Sequence, residues 1–324
     1  MKKFLARVKP RAIKALKLAM LPFLAVVYLI LLVPTKIAIA ITGLISPVCR
    51  RQHGALCTPI ITLKHPVSGK LVTLIGTLHL AEARYFQALR DIVATGEKLG
   101  MPVLFEQVRP YPPGFLAPPL AEDAQAKTEQ MRELAKVMRL MTASVKPFGL
   151  TYQLEADGLP PQDHWRNTDM STEELANRLA EENADLPTLS DEQKAMLEQS
   201  EPLILMHFYD MGMRHMPFIH YLSHLSPVRD AFKEVIVEER NDIAVASILQ
   251  ALSGEKNHVL AIWGAGHAPG ICRDLATAGY RVVDRQWVPA YSFISKYRFI
   301  RMAVAKLLEE RRAAKAAAAA KKSG

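Results

Sequence analysis

Cysteine is scarce in this sequence, with three residues in 324. Cys49, Cys57 and Cys272 are too few for a disulfide framework, although Cys49 and Cys57 lie close enough in the chain to pair if that part of the protein is oxidised. No C-x-x-C pair is present, so the sequence gives no sign of a cysteine metal site or a dithiol redox centre. Cys272 opens an apolar segment and is typical of a small core residue.

Acidic residues are missing from the N-terminal part of the chain. Residues 1–51 contain ten lysines and arginines and no acid, and residues 296–324 contain nine basic and two acidic residues. Residues 52–295 have 22 basic and 30 acidic residues, so the net charge of +9 comes from the two ends. A nucleic-acid-binding domain carries a basic face on its own fold, so we expect no nucleic-acid partner. Basic ends beside apolar sequence fit an anionic membrane surface better.

An apolar run from Leu18 to Ile45 follows seven positive charges in residues 1–17. About 20 apolar residues suffice to cross a bilayer, so we expect one N-terminal transmembrane helix that contacts lipid. Two alternatives stay open: a cleaved signal peptide ending near residues 38–40, and a surface or re-entrant hairpin bent at Pro34. The positive-inside rule places the N-terminus in the cytoplasm and the following domain outside it.

The sequence divides into three regions. Residues 1–51 form the basic N-terminus and membrane anchor, and residues 52–290 form the globular part. Residues 291–324 have the pattern of a basic amphipathic helix followed by an Ala/Lys tail, which could lie on lipid or in solvent.

Apolar runs and helical periodicity in the middle region predict an α/β fold, with a mixed sheet and a helical insert between two strand–G-x-x-H–helix units. Ser171 and Glu174 have the spacing of a capping box. The predicted strands are 58–63, 71–75, 102–106, 149–156, 258–262 and 280–284, and the predicted helices are 82–98, 123–141, 172–182, 226–252 and 268–278.

Twice in the middle region an apolar strand runs into a G-x-x-H turn. The first is Gly76-Thr77-Leu78-His79, and the second is Gly264-Ala265-Gly266-His267. In an open α/β sheet, ligands bind outside the carboxyl ends of the strands, where such turns lie. The two histidines, His79 and His267, are therefore candidates for one site. The alternative is that each forms only local hydrogen bonds.

Three charged residues accompany this edge. Glu106 ends the predicted strand 102–106, and Glu155 lies near the end of strand 149–156. Arg240 falls on the apolar stripe of helix 226–252, where a buried guanidinium is costly unless it is paired. The Arg is thus predicted to face an acidic or oxyanionic centre, and a snorkelling surface Arg is the alternative.

Two other patterns carry weaker hypotheses. His220 and His224 are four residues apart in a Met-rich segment, but the Glu of an H-E-x-x-H zinc motif is absent, so a packing helix is the simpler interpretation. Gly264-x-Gly266-x-x-x-Gly270 is similar to a dinucleotide fingerprint, but the last spacing is one residue too long.

Taken together, these residues resemble the TraB/GumN/Tiki family of TraB, PrgY and pheromone-shutdown-type proteins, which has the Tiki membrane proteases and erythromycin-esterase-like enzymes as wider relatives. The resemblance covers roughly residues 58–290. It rests on GTLH at 76–79, the strand-end Glu106, Glu239-Arg240-Asn241 with Ala244, and GAGHAPG at 264–270. It implies a core of two related halves and an active centre of both histidines, the Glu and the Arg. The Tiki branch implies a divalent metal and peptide cleavage, whereas the erythromycin-esterase branch implies ester hydrolysis without an obvious metal.

The residue chemistry independently favours hydrolysis. His79, Glu106 and His267 would leave an open position on a divalent metal such as Mn, Co or Zn, and a water bound there becomes a nucleophile near neutral pH. Alternatively Glu106 is the base that activates water and the histidines orient it. Arg240 would stabilise the charge on the tetrahedral centre. The lesser candidates are Gly76, Gly264, Gly266, Glu155 and Asn241.

The sequence thus predicts a membrane-anchored, metal-dependent hydrolase of metallopeptidase type that acts on a peptide or ester substrate. The alternative is a non-catalytic membrane regulator, similar to the pheromone-shutdown proteins, that binds a peptide or signalling partner in the same pocket.

Overall fold

A computed structural model gives the fold, and the structure describes residues 33–111, 119–225 and 231–323. Its centre is a seven-stranded mixed sheet in which β9, β2, β3, β8, β5 and β7 lie side by side, and β1 pairs with the start of β2. A second, two-stranded antiparallel sheet joins β4 to β6. The strands are β1 (Arg50–Gln52), β2 (Ala55–Lys64), β3 (Leu71–Thr77), β4 (Leu80–Glu82), β5 (Val103–Phe105), β6 (Leu150–Tyr152), β7 (Arg166–Asn167), β8 (His258–Gly264) and β9 (Arg281–Ser292).

Helices flank the sheet, and four of them (α3 to α6) form the predicted insert between the two halves. The α4 capping box is present, because Ser171 and Glu174 bond each other's backbone. The helices are α1 (Val33–Ile45), α2 (Ala83–Lys98), α3 (Glu122–Val145), α4 (Thr172–Glu181), α5 (Asp191–Gln199), α6 (Pro202–Leu225), α7 (Ala231–Lys233), α8 (Glu239–Ser253), α9 (Ala268–Thr277) and α10 (Lys296–Ser323).

The apolar character of β8 follows from its burial on both faces. Alternate residues of a strand point to opposite sides of a sheet. Ala261 and Trp263 therefore pack with α8 and α9, whereas Leu260 and Ile262 pack with α2. Strand β8 runs parallel to β3 on one side and to β5 on the other, so the carboxyl ends of all three strands meet at one edge.

Parts of the predicted element pattern are wrong. Strand β9 pairs with β2 along its whole length, from Arg281 to Ser292, so the last helix begins at Lys296 and not at Tyr291. The strand predicted at 149–156 ends at Tyr152, because the chain turns there and Gln153 bonds back to His79. The first G-x-x-H turn leads into β4 before α2 begins, so it is not followed directly by a helix.

The membrane span predicted from Leu18 to Ile45 lies mostly outside the residues that the structure describes. Only its last part, α1, is described. Within the described ranges, none of the helices combines the length and the apolar character that crossing a membrane requires. Residues 112–118 and the start of the helix predicted from Ser226 also fall outside those ranges. Cys49 and Cys57 are both buried as free thiols, and burial raises the pKa of Cys49 to about 12.

Candidate functional site

Glu106 lies at the centre of the edge where the parallel strands end. It directly follows β5, and its backbone N–H donates to Ile262 of β8. The carboxylate accepts a hydrogen bond from Arg240 Nη2 on Oε1 at 2.6 Å and one from the backbone N–H of Gly264 on Oε2. Only 11% of its side chain is exposed. The carboxylate is thus held from two sides, by a side chain of α8 and by the backbone at the end of β8.

The absence of a side chain at Gly264 is what allows this approach. An added Cβ would lie 3.1 Å from Glu106 Oε2, which is closer than almost all real Cβ contacts. The first glycine of the second G-x-x-H turn therefore serves close packing of the carboxylate against the backbone.

Arg240 connects two buried carboxylates. Its Nε and Nη2 donate to the two oxygens of Asp169, both at 2.8 Å, while Nη2 also reaches Glu106. Nη1 donates to the carbonyl of Ile236 in the π-helical turn Glu234–Glu238 that precedes α8. Such turns re-aim the side chains that follow them, and here Arg240 and Asn241 both point toward the sheet edge. The bidentate pair with Asp169 fixes the guanidinium plane.

His267 is buried beside the same carboxylate. Its Nδ1 bonds Asn241 Oδ1 at 2.8 Å, and its ring packs edge-on against Trp263 with centroids 5.1 Å apart. Because an amide oxygen only accepts, Nδ1 carries the proton and Nε2 keeps its lone pair. That Nε2 lies 3.6 Å from Glu106 Oε1. The lone pair therefore faces the carboxylate across a gap longer than a hydrogen bond.

Asn241 is held against the start of α9 by a second close-packing glycine. A Cβ added at Gly270 would overlap the amide group of Asn241 and would lie 3.0 Å from the Asn241 Cγ. Asn241 is fully buried. The glycine thus leaves the room that the amide needs to orient the imidazole.

Burial and the neighbouring charges shift the pKa values of Glu106 and His267. Burial raises the pKa of Glu106, but Arg240, the two histidines and the Gly264 N–H outweigh it, so the net shift is downward. Burial lowers the pKa of His267, and the neighbouring Glu106 carboxylate offsets this only in part. At neutral pH the centre therefore holds an ionised Glu106, a charged Arg240 and a neutral His267.

His79 lies at the rim of the same centre. It is exposed, and its carbonyl accepts a hydrogen bond from Gln153 N at 2.7 Å. A cavity of about 250 Å³ is lined by His79, Glu106 and Arg240 together with Tyr152 and Gln153. A larger cavity of about 950 Å³, between α10 and the β4–β6 sheet, includes none of the predicted site residues.

The lesser candidates are placed differently. Glu155 forms an ion pair with Lys146 at 3.0 Å and does not line the 250 Å³ cavity. Gly76 packs against Pro59 on β2, and a Cβ at Gly266 would lie 3.7 Å from the ring of His220. Within the described residues, Asn241 and Gly264 are the two lesser candidates that touch the centre.

Asp169 is the residue that sequence reasoning missed. Its side chain is fully buried, and it lies just after β7, which pairs with β5 through two residues. So short a strand leaves no pattern in the sequence, and the segment reads as a polar loop. The available signal was Arg240 itself, because a guanidinium this deeply buried requires a buried counter-charge.

The residues fit the predicted metal only in part. His267 has the arrangement of a metal ligand, with Nδ1–H bonded to a fixed acceptor and Nε2 free. However, Arg240 already donates to Glu106 Oε1. In the described parts of the chain, no three His, Cys, Asp or Glu side chains are grouped closely enough to hold an ion. As placed, His79, Glu106 and His267 do not form a three-ligand centre.

Comparison with known proteins adds a family. The sequence model of the TraB/PrgY/gumN family matches residues 86–284, which is more than half of the chain. The match includes Glu106, Asp169, Arg240, Asn241 and His267, and it begins after His79. A comparison with curated proteins finds no match.

Proposed function

Because the chain belongs to the TraB/PrgY/gumN family, we propose that it is a hydrolase of peptide or ester bonds whose centre is Glu106, His267, Arg240 and His79. The observation that carries the proposal is the buried Glu106 carboxylate, which lies 3.6 Å from Nε2 of His267 and lines a cavity of about 250 Å³ together with Arg240 and the exposed His79. A held carboxylate beside a neutral imidazole is the arrangement that general acid–base chemistry uses.

In the proposed reaction His267 Nε2 takes the proton of a water molecule while the water oxygen attacks the substrate carbonyl carbon. The imidazolium then returns that proton to the leaving nitrogen or oxygen as the C–N or C–O bond breaks. The resting centre has two buried carboxylates and one guanidinium, so a proton arriving on His267 balances its charge. Glu106 is thereby assigned to stabilise the imidazolium, since its pKa is lowered despite its burial and the carboxylate stays ionised.

Arg240 serves in this scheme as a positioning residue. Most of its N–H donors are engaged by Asp169, Glu106 and the Ile236 carbonyl, which keeps the Glu106 carboxylate ionised and oriented. His79 is exposed at the cavity rim and is the group best placed to donate to the oxyanion of the tetrahedral intermediate.

The divalent metal stays a prediction. When bound, such an ion would polarise the carbonyl and lower the pKa of a water molecule. His267 and Glu106 supply two of the donors, and His79 would have to approach them. No step above depends on the ion.

We also propose that residues 1–51 tether the domain to a membrane, with the N-terminus in the cytoplasm and the domain outside. The support is the basic N-terminus followed by the apolar run in the sequence. A reporter enzyme fused after Gly324 should then be active only outside the cytoplasm. Activity inside would reverse the assignment.

The hydrolase proposal is tested on the full-length protein with a panel of p-nitrophenyl esters and a fluorogenic peptide library, with and without added Zn, Mn or Co. We expect turnover by the wild type and its loss in Glu106→Gln. The matched control is Glu155→Gln, which alters an exposed carboxylate on a nearby turn and should retain activity. Metal content is measured on the same samples.

Failure of the wild type to turn over any member of the panel, with or without metal, would count against the hydrolase. If members of the peptide library then bound to the wild type but not to Glu106→Gln, the result would favour the regulator that uses the same pocket for binding.

A further inference from the structure

Three helices on one side of the molecule expose an unusual amount of apolar surface. We call this surface the apolar helix face. Its exposed members come from α1, α6 and α10, and they are Ile41, Leu44, Ile45, Ile204, Phe208, Met211, Ile219, Leu222, Ile300, Val304, Leu307 and Leu308. Monomeric soluble domains rarely leave so many large apolar side chains together in water. Something is therefore expected to cover this face.

On α6 the exposed apolar residues form one stripe. Ile204, Phe208, Met211, Ile219 and Leu222 recur at helical spacing and so fall on one side of the helix. The opposite side of α6 contacts the body, where Tyr209 Oη donates to the Leu80 carbonyl and where His220 approaches Gly266. The stripe is thus separate from the face that packs toward the candidate site.

The exposed stripe of α6 carries no charged group. The helix contains two charged residues, Asp210 and Arg214, and they form an ion pair at 2.6 Å. Asp210 is buried and also accepts from Tyr291 Oη and Ile294 N. A helix with a water-facing surface normally shows charged side chains there, so this stripe is not built for water.

Helix α10 continues the apolar helix face and adds positive charge. Its Ile300, Val304, Leu307 and Leu308 are exposed on one side. Arg301, Arg311 and Arg312 are exposed along the same stretch. An apolar stripe bordered by arginines is the pattern of a helix that lies in a membrane interface.

The three helices are adjacent in space. His207 of α6 and Phe299 of α10 have ring centroids 5.0 Å apart, and a cavity of about 580 Å³ between these helices is lined by Met211 and Ile300. Helix α1 packs against α6 on the domain. The stripes of α6 and α10 therefore border the same groove and form one continuous surface.

We infer that the apolar helix face docks on the surface of an anionic lipid bilayer. The arginines of α10 match anionic headgroups, whereas they would repel one another if a second copy of the chain covered this face. Moreover, α1 is the last part of the apolar run of the sequence, so a tether formed by that run would deliver this face to the bilayer. The docking goes beyond the tether, since it is made by the folded domain, and it does not depend on the hydrolase proposal.

The test uses the full chain reconstituted in phosphatidylcholine vesicles that contain phosphatidylglycerol. An environment-sensitive fluorophore is attached to Phe208→Cys or Leu307→Cys, and to Val67→Cys or Met196→Cys as controls at exposed apolar positions elsewhere. Wild-type protein measures background labelling of the native cysteines, and circular dichroism checks folding. Quenching is measured with spin-labelled acyl chains and with iodide on both sides of the bilayer.

We expect lipid quenching of the Phe208 and Leu307 labels and protection of both from iodide, relative to Val67 and Met196. Equal iodide quenching at all four positions would overturn the inference. Protection from iodide without lipid quenching would also overturn it, because it would show that protein covers the face.

The electrostatic part is tested separately. Arg301→Gln and Arg311→Gln should each weaken docking of the apolar helix face on the anionic bilayer. We expect each to lower the ratio of protein with this face docked to protein with it undocked by about fivefold at low salt. Arg273→Gln changes an exposed arginine on α9 and should leave the ratio unchanged. An unchanged ratio in the two α10 variants would refute recognition of anionic lipid.

Discussion

His267 and His79 follow neighbouring parallel strands of the same sheet, and Gly264 and Thr77 at the ends of those strands are paired in register. His267 is buried, bonded to Asn241 and packed on Trp263, whereas His79 is exposed at the rim of the cavity. The difference arises after the turn. The chain after β8 tightens into a short 3-10 turn under α8, whereas the chain after β3 runs outward into β4.

The comparison shows that one sequence pattern can place two histidines in different environments at one sheet edge. Burial fixes the tautomer of His267 and lowers its pKa, which keeps the ring neutral, as the proposed base must be. In the proposed hydrolase the exposed His79 would contact the substrate.

Arg240→Met should have the largest effect. It leaves Glu106 and Asp169 buried without their counter-charge, so we expect a loss of about 3–5 kcal/mol in the free energy of unfolding. Chemical denaturation measures it. The same substitution at exposed Arg273 should cost less than about 1 kcal/mol, even though that arginine also has two ion pairs. Equal, small effects at both positions would show that the buried network contributes little.

Gly270→Ala should have an intermediate effect. The added Cβ overlaps the Asn241 amide, so the amide must move away from His267, and overpacking of this kind costs about 1–3 kcal/mol. Gly212→Ala is the matched control, because the space beside Gly212 is open and a helical alanine there should stabilise by about 0.5–1 kcal/mol. Both are measured by denaturation, and a stabilising Gly270→Ala would contradict the packing.

The pKa of His267 should lie below about 6.5, the value of a free histidine. Burial disfavours the imidazolium, so the folded state binds fewer protons than the unfolded state between the two pKa values. The free energy of unfolding is therefore unaffected by His267 above the pKa that this residue has in the unfolded chain. As the pH falls from that value toward the folded pKa of His267, the free energy of unfolding decreases. NMR titration of the ring in metal-free protein measures the value.

The urea-unfolded protein provides the reference titration for His267. A folded pKa at or above the unfolded one would mean that the Glu106 carboxylate outweighs burial, which would contradict the predicted direction of the shift.

His79→Ala should have the smallest effect on stability, within about 0.5 kcal/mol, because an exposed side chain loses few contacts. Its effect on turnover should nevertheless be large, about 100-fold or more, if the imidazole assists catalysis. Thermal denaturation and hydrolysis rates on the same preparation separate the two. A large loss of stability would indicate that His79 supports the fold.

Sequence reasoning placed Glu106 and His267 at one sheet edge, and the structure has both of them there, after the buried strands β5 and β8. His267 and the strand-end Glu106 could be predicted because β8 and β5 are continuous apolar runs bounded by a turn. The need for a charge partner at Arg240 was also visible. These features depend on local pattern, which a single sequence contains.

The remaining features depend on contacts between distant segments. Asp169 is placed by the two-residue strand β7, and the exposure of His79 is set by the pairing of β4 with β6. The extension of β9 to Ser292 follows from its pairing with β2. None of these pairings leaves a periodic signal in its own segment, so the sequence did not reveal them.

The most direct test of the central claim, that both turns serve one catalytic centre, is a double-mutant cycle on turnover of the best substrate in the ester and peptide panel. His79→Ala, His267→Ala and the double variant are compared with the wild type as full-length proteins. The account predicts that each single change lowers kcat/KM by about 100-fold or more and that the double variant loses little more than the worse single one. Wild-type kcat/KM in either single variant would contradict it.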